Sequence, residues 1–122
     1  MLSNKKTLII GASENAERYA NKAFHSLIRY GHTVVMLGNK AGEIEGEIIK
    51  TGTPKFEAID TVTLYLNPTN QVPYYDYILA LKPKRIIFNP GTENPILTQL
   101  AEQNGIEATV ACTLVLLAIG KY

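Results

Sequence analysis

A short apolar run, Thr7-Leu8-Ile9-Ile10, passes directly into Gly11-Ala12-Ser13, and a helical pattern begins a few residues later. Strand, glycine, helix is the order in which an α/β domain presents backbone N–H groups to an anion. Glycine permits a sharp turn and a close approach to the backbone. The following helix directs unpaired N–H groups and the positive end of its dipole at the same place. The full dinucleotide fingerprint is absent, because Ser13 and Ala16 stand where further glycines are expected. Ser13 adds a hydroxyl donor instead. The alternative reading is a tight connection that merely uses small residues.

The next apparent strand, Thr33-Val34-Val35-Met36-Leu37, ends in Gly38-Asn39-Lys40. A dinucleotide site that takes NAD places an acid here, to accept from the ribose hydroxyls. A cation suits a nucleotide carrying an additional ribose phosphate, which Lys40 can hold as a point charge. Otherwise Asn39 and Lys40 form a solvated turn. Arg18, at the start of the first helix, opposes the helix dipole unless an anion offsets it. It too has a plain reading, as a surface residue.

The rest of the chain alternates strand and helix patterns. Strands are expected at residues 6–10, 33–37, 61–66, 85–89 and 108–111. Helices are expected at 18–30, 71–81, from 94–95 to Gly105, and at 113–119. Apolar residues on a 3.6-residue period assign inward faces: Ala20, Ala23, Phe24, Leu27 and Ile28 in the first helix, Val72, Tyr75, Ile78 and Leu79 in the second, and Ile96, Leu97, Leu100 and Ala101 in the third. Asn94-Pro95 reads as N-cap and first helical residue. Residues 38–59 are the least defined, with Glu47-Ile48-Ile49 as either a short strand or an extended loop. Nearly continuous apolar strands point to a parallel sheet covered on both faces. The expected fold is therefore a single-domain α/β, doubly wound, Rossmann-like sheet.

At 122 residues, with 46% hydrophobic and 19% charged, the chain suits one domain with its own core. A net charge of +1 gives no electrostatic reason to expect nucleic acid or a membrane surface. No apolar stretch approaches the length of a membrane span. The single cysteine, Cys112, and the lack of a leader-like N-terminus fit a cytoplasmic protein. The apolar run Leu114-Val115-Leu116-Leu117-Ala118-Ile119 can finish the core or supply a homodimer contact.

In a doubly wound fold the ligand lies beyond the C-terminal strand ends. The candidate site thus gathers Gly11, Ala12 and Ser13, with Arg18, Asn39, Lys40, Asn67, Pro68, Pro90, Gly91 and Cys112. Asn67-Pro68 and Asn89-Pro90-Gly91 read equally as turn chemistry or as walls of the site. Glu93 can cap the next helix. Cys112 is either a small buried residue or a thiol activated by a helix N-terminus. His25 and His32 lie away from the expected mouth, and no metal-ligand spacing or nucleophile–base pair is present. Binding is favoured over catalysis.

Five stretches resemble the small, stand-alone CoA-binding proteins, relatives of the CoA-binding domain of succinyl-CoA synthetase alpha subunits. They are Ile9-Ile10-Gly11-Ala12-Ser13, Asn39-Lys40, Thr61-Val62-Thr63-Leu64-Tyr65-Leu66-Asn67-Pro68, Asn89-Pro90-Gly91-Thr92-Glu93-Asn94 and Ala111-Cys112-Thr113-Leu114. The resemblance implies a domain that binds coenzyme A or an acyl-CoA, with phosphates at the Gly11 loop and Ser13. It puts the ribose 3′-phosphate at Lys40 and the nucleotide or pantetheine between Asn67-Pro68 and Pro90-Gly91. Such proteins commonly read Asn-Pro-Lys at the second strand end, and this chain lacks that proline. It also lacks the phosphohistidine loop, so ligase activity is not implied. The competing expectation is an NADP-binding subunit or domain of an oxidoreductase, with Lys40 on the 2′-phosphate.

Overall fold

The computed structural model describes residues 3–122. Its centre is the strand β1 (Thr7–Ile10), whose four residues are all buried. Beside it lie β2 (Val34–Leu37) and β5 (Thr61–Leu64), both parallel to it. The remaining strands are β3 (Gly42–Ile44), β4 (Glu47–Lys50), β6 (Arg85–Phe88) and β7 (Glu107–Val110). Together they form one sheet in the order β3-β4-β2-β1-β5-β6-β7.

Five α-helices complete the described residues: α1 (Tyr19–Arg29), α2 (Pro68–Gln71), α3 (Tyr75–Leu81), α4 (Pro95–Gln103) and α5 (Thr113–Ala118). Alternate residues of the buried strands point to opposite faces. Ile9, Val34 and Met36 join Ala20, Ala23, Phe24 and Leu27 of α1 and Leu117 of α5 in one core layer. Leu8, Ile10, Val62, Leu64, Ile86 and Phe88 pack with Ile78 of α3 and Leu97 and Ala101 of α4 in the other. This is the expected doubly wound Rossmann-like domain. Strand order reverses at β1: the chain first builds outward through β2 and β4, then returns to lay β5 on the opposite side. A crevice opens beyond the strand ends where that reversal occurs.

The sheet departs from the all-parallel expectation at one edge. β3 runs antiparallel to β4, with Ile44 opposite Glu47. Glu45 and Gly46 between them have φ values of 50° and 82°. Two successive positive φ values form the tight turn that matches strand twist in a two-residue hairpin. The undefined 38–59 stretch thus contains a hairpin, and Ile49 seats it in the core layer under α1.

The helix expected at 71–81 is longer and broken. Asn67 caps α2 by accepting the Asn70 N–H at 2.9 Å, and Pro68 is the first helical residue. A 3₁₀ turn at Val72–Tyr74 then leads into α3. Pro73 supplies no N–H, which explains the break. Three expected core residues are exposed: Val72, Ile96 and Ile28. Val72 falls in the 3₁₀ turn, and Ile28 and Ile96 lie at the margins of their helices' apolar stripes, where period alone does not fix burial. The C-terminal run divides, with Leu117 in the core and Val115 and Ile119 exposed.

Candidate functional site

The crevice at the strand reversal is a cleft of about 890 Å³. Its floor is the turn after β1. Gly11 has φ +97°, a conformation that side chains resist. A Cβ there would sit 3.0 Å from the backbone carbon and oxygen of Tyr65. Glycine is therefore demanded by the neighbouring strand's continuation as well as by the turn. The N–H groups of Gly11 and Ala12 both donate to the Leu37 carbonyl, at 2.9 and 2.8 Å. These two donors are spent inside the fold, contrary to the expectation that the glycine turn itself offers them to a ligand.

The free donors lie slightly further on. The N–H groups of Ser13, Glu14 and Ala16 have no protein acceptor among the described residues. The loop that carries them is braced from within. Ser13 Oγ accepts the Asn15 N–H at 3.1 Å, and Asn15 Oδ1 accepts the Glu17 N–H at 3.0 Å. Buried Asn21 reaches back from α1 to the Ser13 carbonyl at 3.0 Å. A braced loop with unpaired N–H groups receives an anion with little ordering cost.

Two cations flank this loop. Arg18 occupies the N-cap position of α1 without making a side-chain cap, and the first turn of that helix holds no acid. Lys40 follows β2, and both side chains border the cleft. Among the described residues the one salt bridge is Lys84 to Asp60, far along the sheet from this cleft, so neither Arg18 nor Lys40 has a carboxylate partner. Two acids also border the cleft, Glu14 and Glu17. Glu14 is engaged, since its Oε2 accepts the Glu43 N–H at 2.9 Å.

The opposite wall comes from the chain after β5. Tyr65, Leu66, Asn67, Asn70 and Tyr74 line it, with Pro90 and Thr92 behind. Burial pushes the Tyr65 hydroxyl up to about 12, against hydrogen bonding to Thr113 and Thr63 that pulls it down. Tyr65 is thus a neutral phenol, partly buried against the core layer under α1. Sequence reasoning did not single out Tyr65, Tyr74 or Glu14. For Tyr65 the available signal is its place just past a strand end, beside the glycine turn.

Of the residues expected at the site, Gly11, Ala12, Ser13, Arg18, Asn39, Lys40, Asn67 and Pro90 border the cleft. Pro68, Gly91 and Cys112 do not. Pro68 begins α2 behind its cap. Gly91 turns with φ +89° and donates its N–H to Glu93 Oε1 at 2.8 Å. Cys112 is a half-buried free thiol at the end of β7, the edge strand, with β5 and β6 between it and β1. Asn94 caps α4 by accepting from the Ile96 and Leu97 N–H groups, so Glu93 is not the cap of that helix. No group of three or more His, Cys, Asp or Glu residues that could hold a metal ion occurs among the described residues.

Fold and site define a Rossmann-like domain with a polar, cation-flanked cleft at its switch point. The chain belongs to the CoA-binding domain family, whose model matches residues 5–118. A crystal structure described only as that of an uncharacterized protein is 50% identical, covers 99% of this chain and 100% of its own, and superposes with a TM-score of 0.97. Cell-free ID.343 from Thermus thermophilus shares 18% identity over 98% of this chain and 91% of its own, with a TM-score of 0.83. Dinucleotide forming acetyl-coenzyme A synthetase 1 of Ca. Korarchaeum cryptofilum, in complex with phosphate and ADP, matches at 15% identity and a TM-score of 0.69, over 89% of this chain and 26% of that one. The last two likenesses concern the fold. No curated protein matches the chain.

Proposed function

We propose that this protein binds coenzyme A or an acyl-CoA in the cleft between β1 and β5, in the cytoplasm, as a carrier, sensor or regulatory module. The observation that carries the reading is the pair of unpartnered cations, Arg18 and Lys40, on either side of a loop with free N–H groups. Membership of the CoA-binding domain family supports it. The Ser13 hydroxyl and the free N–H groups at Ser13, Glu14 and Ala16 receive the pyrophosphate. Arg18 adds a charged, planar donor set suited to phosphate oxygens. Lys40 meets the ribose 3′-phosphate. Tyr65 and Tyr74 offer aromatic surface to the adenine or the pantetheine arm.

No helix among the described residues is long and apolar enough to cross a membrane, and the ligand proposed is a small molecule. The exposed Val115 and Ile119 leave a homodimer contact open to α5.

The test is thermal unfolding with CoA, acetyl-CoA, dephospho-CoA, NADP, NADPH, NAD and ATP in parallel. A ligand specific for the folded state adds about 2.7 kcal/mol of stability at a hundredfold excess over its dissociation constant. Selective stabilisation by CoA species, weaker without the 3′-phosphate, is the expected result. Stabilisation by NADP(H) alone would replace this reading with that of an oxidoreductase subunit.

A further inference from the structure

The loop that carries Asn39 and Lys40 is held only at its ends. At its start, the Gly38 N–H donates to the Lys50 carbonyl at 2.9 Å. A Cβ on Gly38 would stand 2.7 Å from the Ala12 carbonyl oxygen, so this backbone abuts the Gly11 turn. Residues 39–41 are exposed and make no hydrogen bond among the described residues. The far end is Gly42 and Glu43, where β3 begins.

Glu14 crosses from the Gly11 loop to that far end. Its carboxylate takes the Glu43 N–H, which faces outward on an edge strand and has no strand partner on that side. A second observation points the same way. A Cβ on Gly42 would lie 2.6 Å from the Glu14 carboxyl carbon and 2.8 Å from Oε2. Gly42 does not have a positive φ. Its backbone therefore does not require glycine, and the missing side chain makes room for the carboxylate.

A carboxylate at the rim of an anion site is electrostatically unfavourable to a phosphate. Its retention needs a compensating role, and the geometry supplies one. We propose that Glu14 is a positioning residue: by accepting the Glu43 N–H it ties the loop of Asn39 and Lys40 to the phosphate-receiving loop and sets where the Lys40 ammonium meets a ribose phosphate. The inference rests on the proposed reading of the cleft as a CoA site.

The experiment is calorimetric titration of CoA and dephospho-CoA into the parent protein and four variants, Glu14→Ala, Glu14→Gln, Gly42→Ala and Lys40→Ala, with the double variant of Glu14→Ala and Lys40→Ala. Glu14→Ala should cut the preference for CoA over dephospho-CoA about fivefold to tenfold, the scale of one lost hydrogen bond. Gly42→Ala, which displaces the carboxylate but leaves its charge, should do the same. Glu14→Gln keeps an acceptor and should keep the preference. In the Lys40→Ala background, Glu14→Ala should change the preference no further. Amide exchange at Glu43 in the ligand-free protein should quicken in Glu14→Ala and Gly42→Ala and not in Glu14→Gln.

Equal loss for both ligands, or an unchanged preference in Glu14→Ala, overturns the positioning role while the CoA reading stands. A preference that rises in Glu14→Ala shows the carboxylate acting only as a repulsive charge, and also overturns it. A parent protein that binds no CoA overturns the functional reading, and this inference with it.

Discussion

The side-chain oxygen of Asn89 accepts the Thr113 N–H at 2.9 Å, joining the end of β6 to the start of α5. The same amide donates to Thr63 Oγ1 at 2.7 Å and to the Leu64 carbonyl at 2.9 Å. Thr63 and Thr113 meet each other at 2.8 Å. Asn89 is almost fully buried, and its side chain satisfies polar groups of two elements, β5 and α5. Asn89→Ala leaves at least two buried groups without partners, so it should destabilise the fold by about 3 kcal/mol. Urea unfolding of the variant measures this directly, and a loss below about 1 kcal/mol would show that the network is not what holds α5.

Asn89 also shows how far a sequence carries. Asn-Pro-Gly after a strand announces a turn, and one stands at Pro90-Gly91. What the amide side chain bonds to depends on β5 and α5, elements distant in the chain. Asn94-Pro95 was readable as a helix start because a cap and its helix are adjacent in sequence. Asn67-Pro68 carries the identical signal and begins α2 in the same way. It was masked by the stronger helical pattern that follows Pro73. The hairpin of β3 and β4 was hidden because Glu45-Gly46 is a weaker turn signal than Asn-Gly or Asp-Gly. The cleft's cations were legible, since Lys40 and Arg18 flank strand and helix ends. Its aromatic wall and the Glu14 bond were not, because both depend on which strands become neighbours.

Gly11 is expected to act through folding before binding. Alanine there must adopt φ near +97° and place its Cβ 3.0 Å from the Tyr65 backbone. The left-handed penalty of about 1–2 kcal/mol and a steric term of about 1–3 kcal/mol together predict a loss of roughly 2–5 kcal/mol. Equilibrium unfolding of Gly11→Ala without ligand is the measurement. A variant as stable as the parent, yet unable to bind CoA, would return Gly11 to the role of a ligand-approach residue.

Lys40 is exposed and unpartnered, so its removal should leave the fold intact. Lys40→Ala should weaken CoA by about 1–3 kcal/mol more than dephospho-CoA, the range of a charge-assisted contact. Titration of both ligands reads the difference, which should shrink as salt rises. Equal weakening of both would remove the 3′-phosphate from Lys40.

His32 gives the fold a dependence on pH far from the cleft. The ring is buried, its Nδ1 accepts the Lys5 N–H at 2.9 Å, and it packs against Tyr122 at 4.9 Å between centroids. Burial, then the charges of Lys5 and Arg85, hold its pKa below the ordinary 6.5, with Asp60 opposing. The folded state therefore takes up its proton at lower pH than the unfolded chain. Above about pH 6.5 both states are neutral at this position and its contribution is fully present. As pH falls below that value the unfolded chain binds a proton that the folded protein refuses, and stability is lost until the folded pKa is passed. Thermal unfolding between about pH 8 and about pH 5 should show this decline. His32→Asn, whose side-chain oxygen can still accept from Lys5, should flatten the curve in that window. An equally steep decline in the variant would assign the acid sensitivity to other groups.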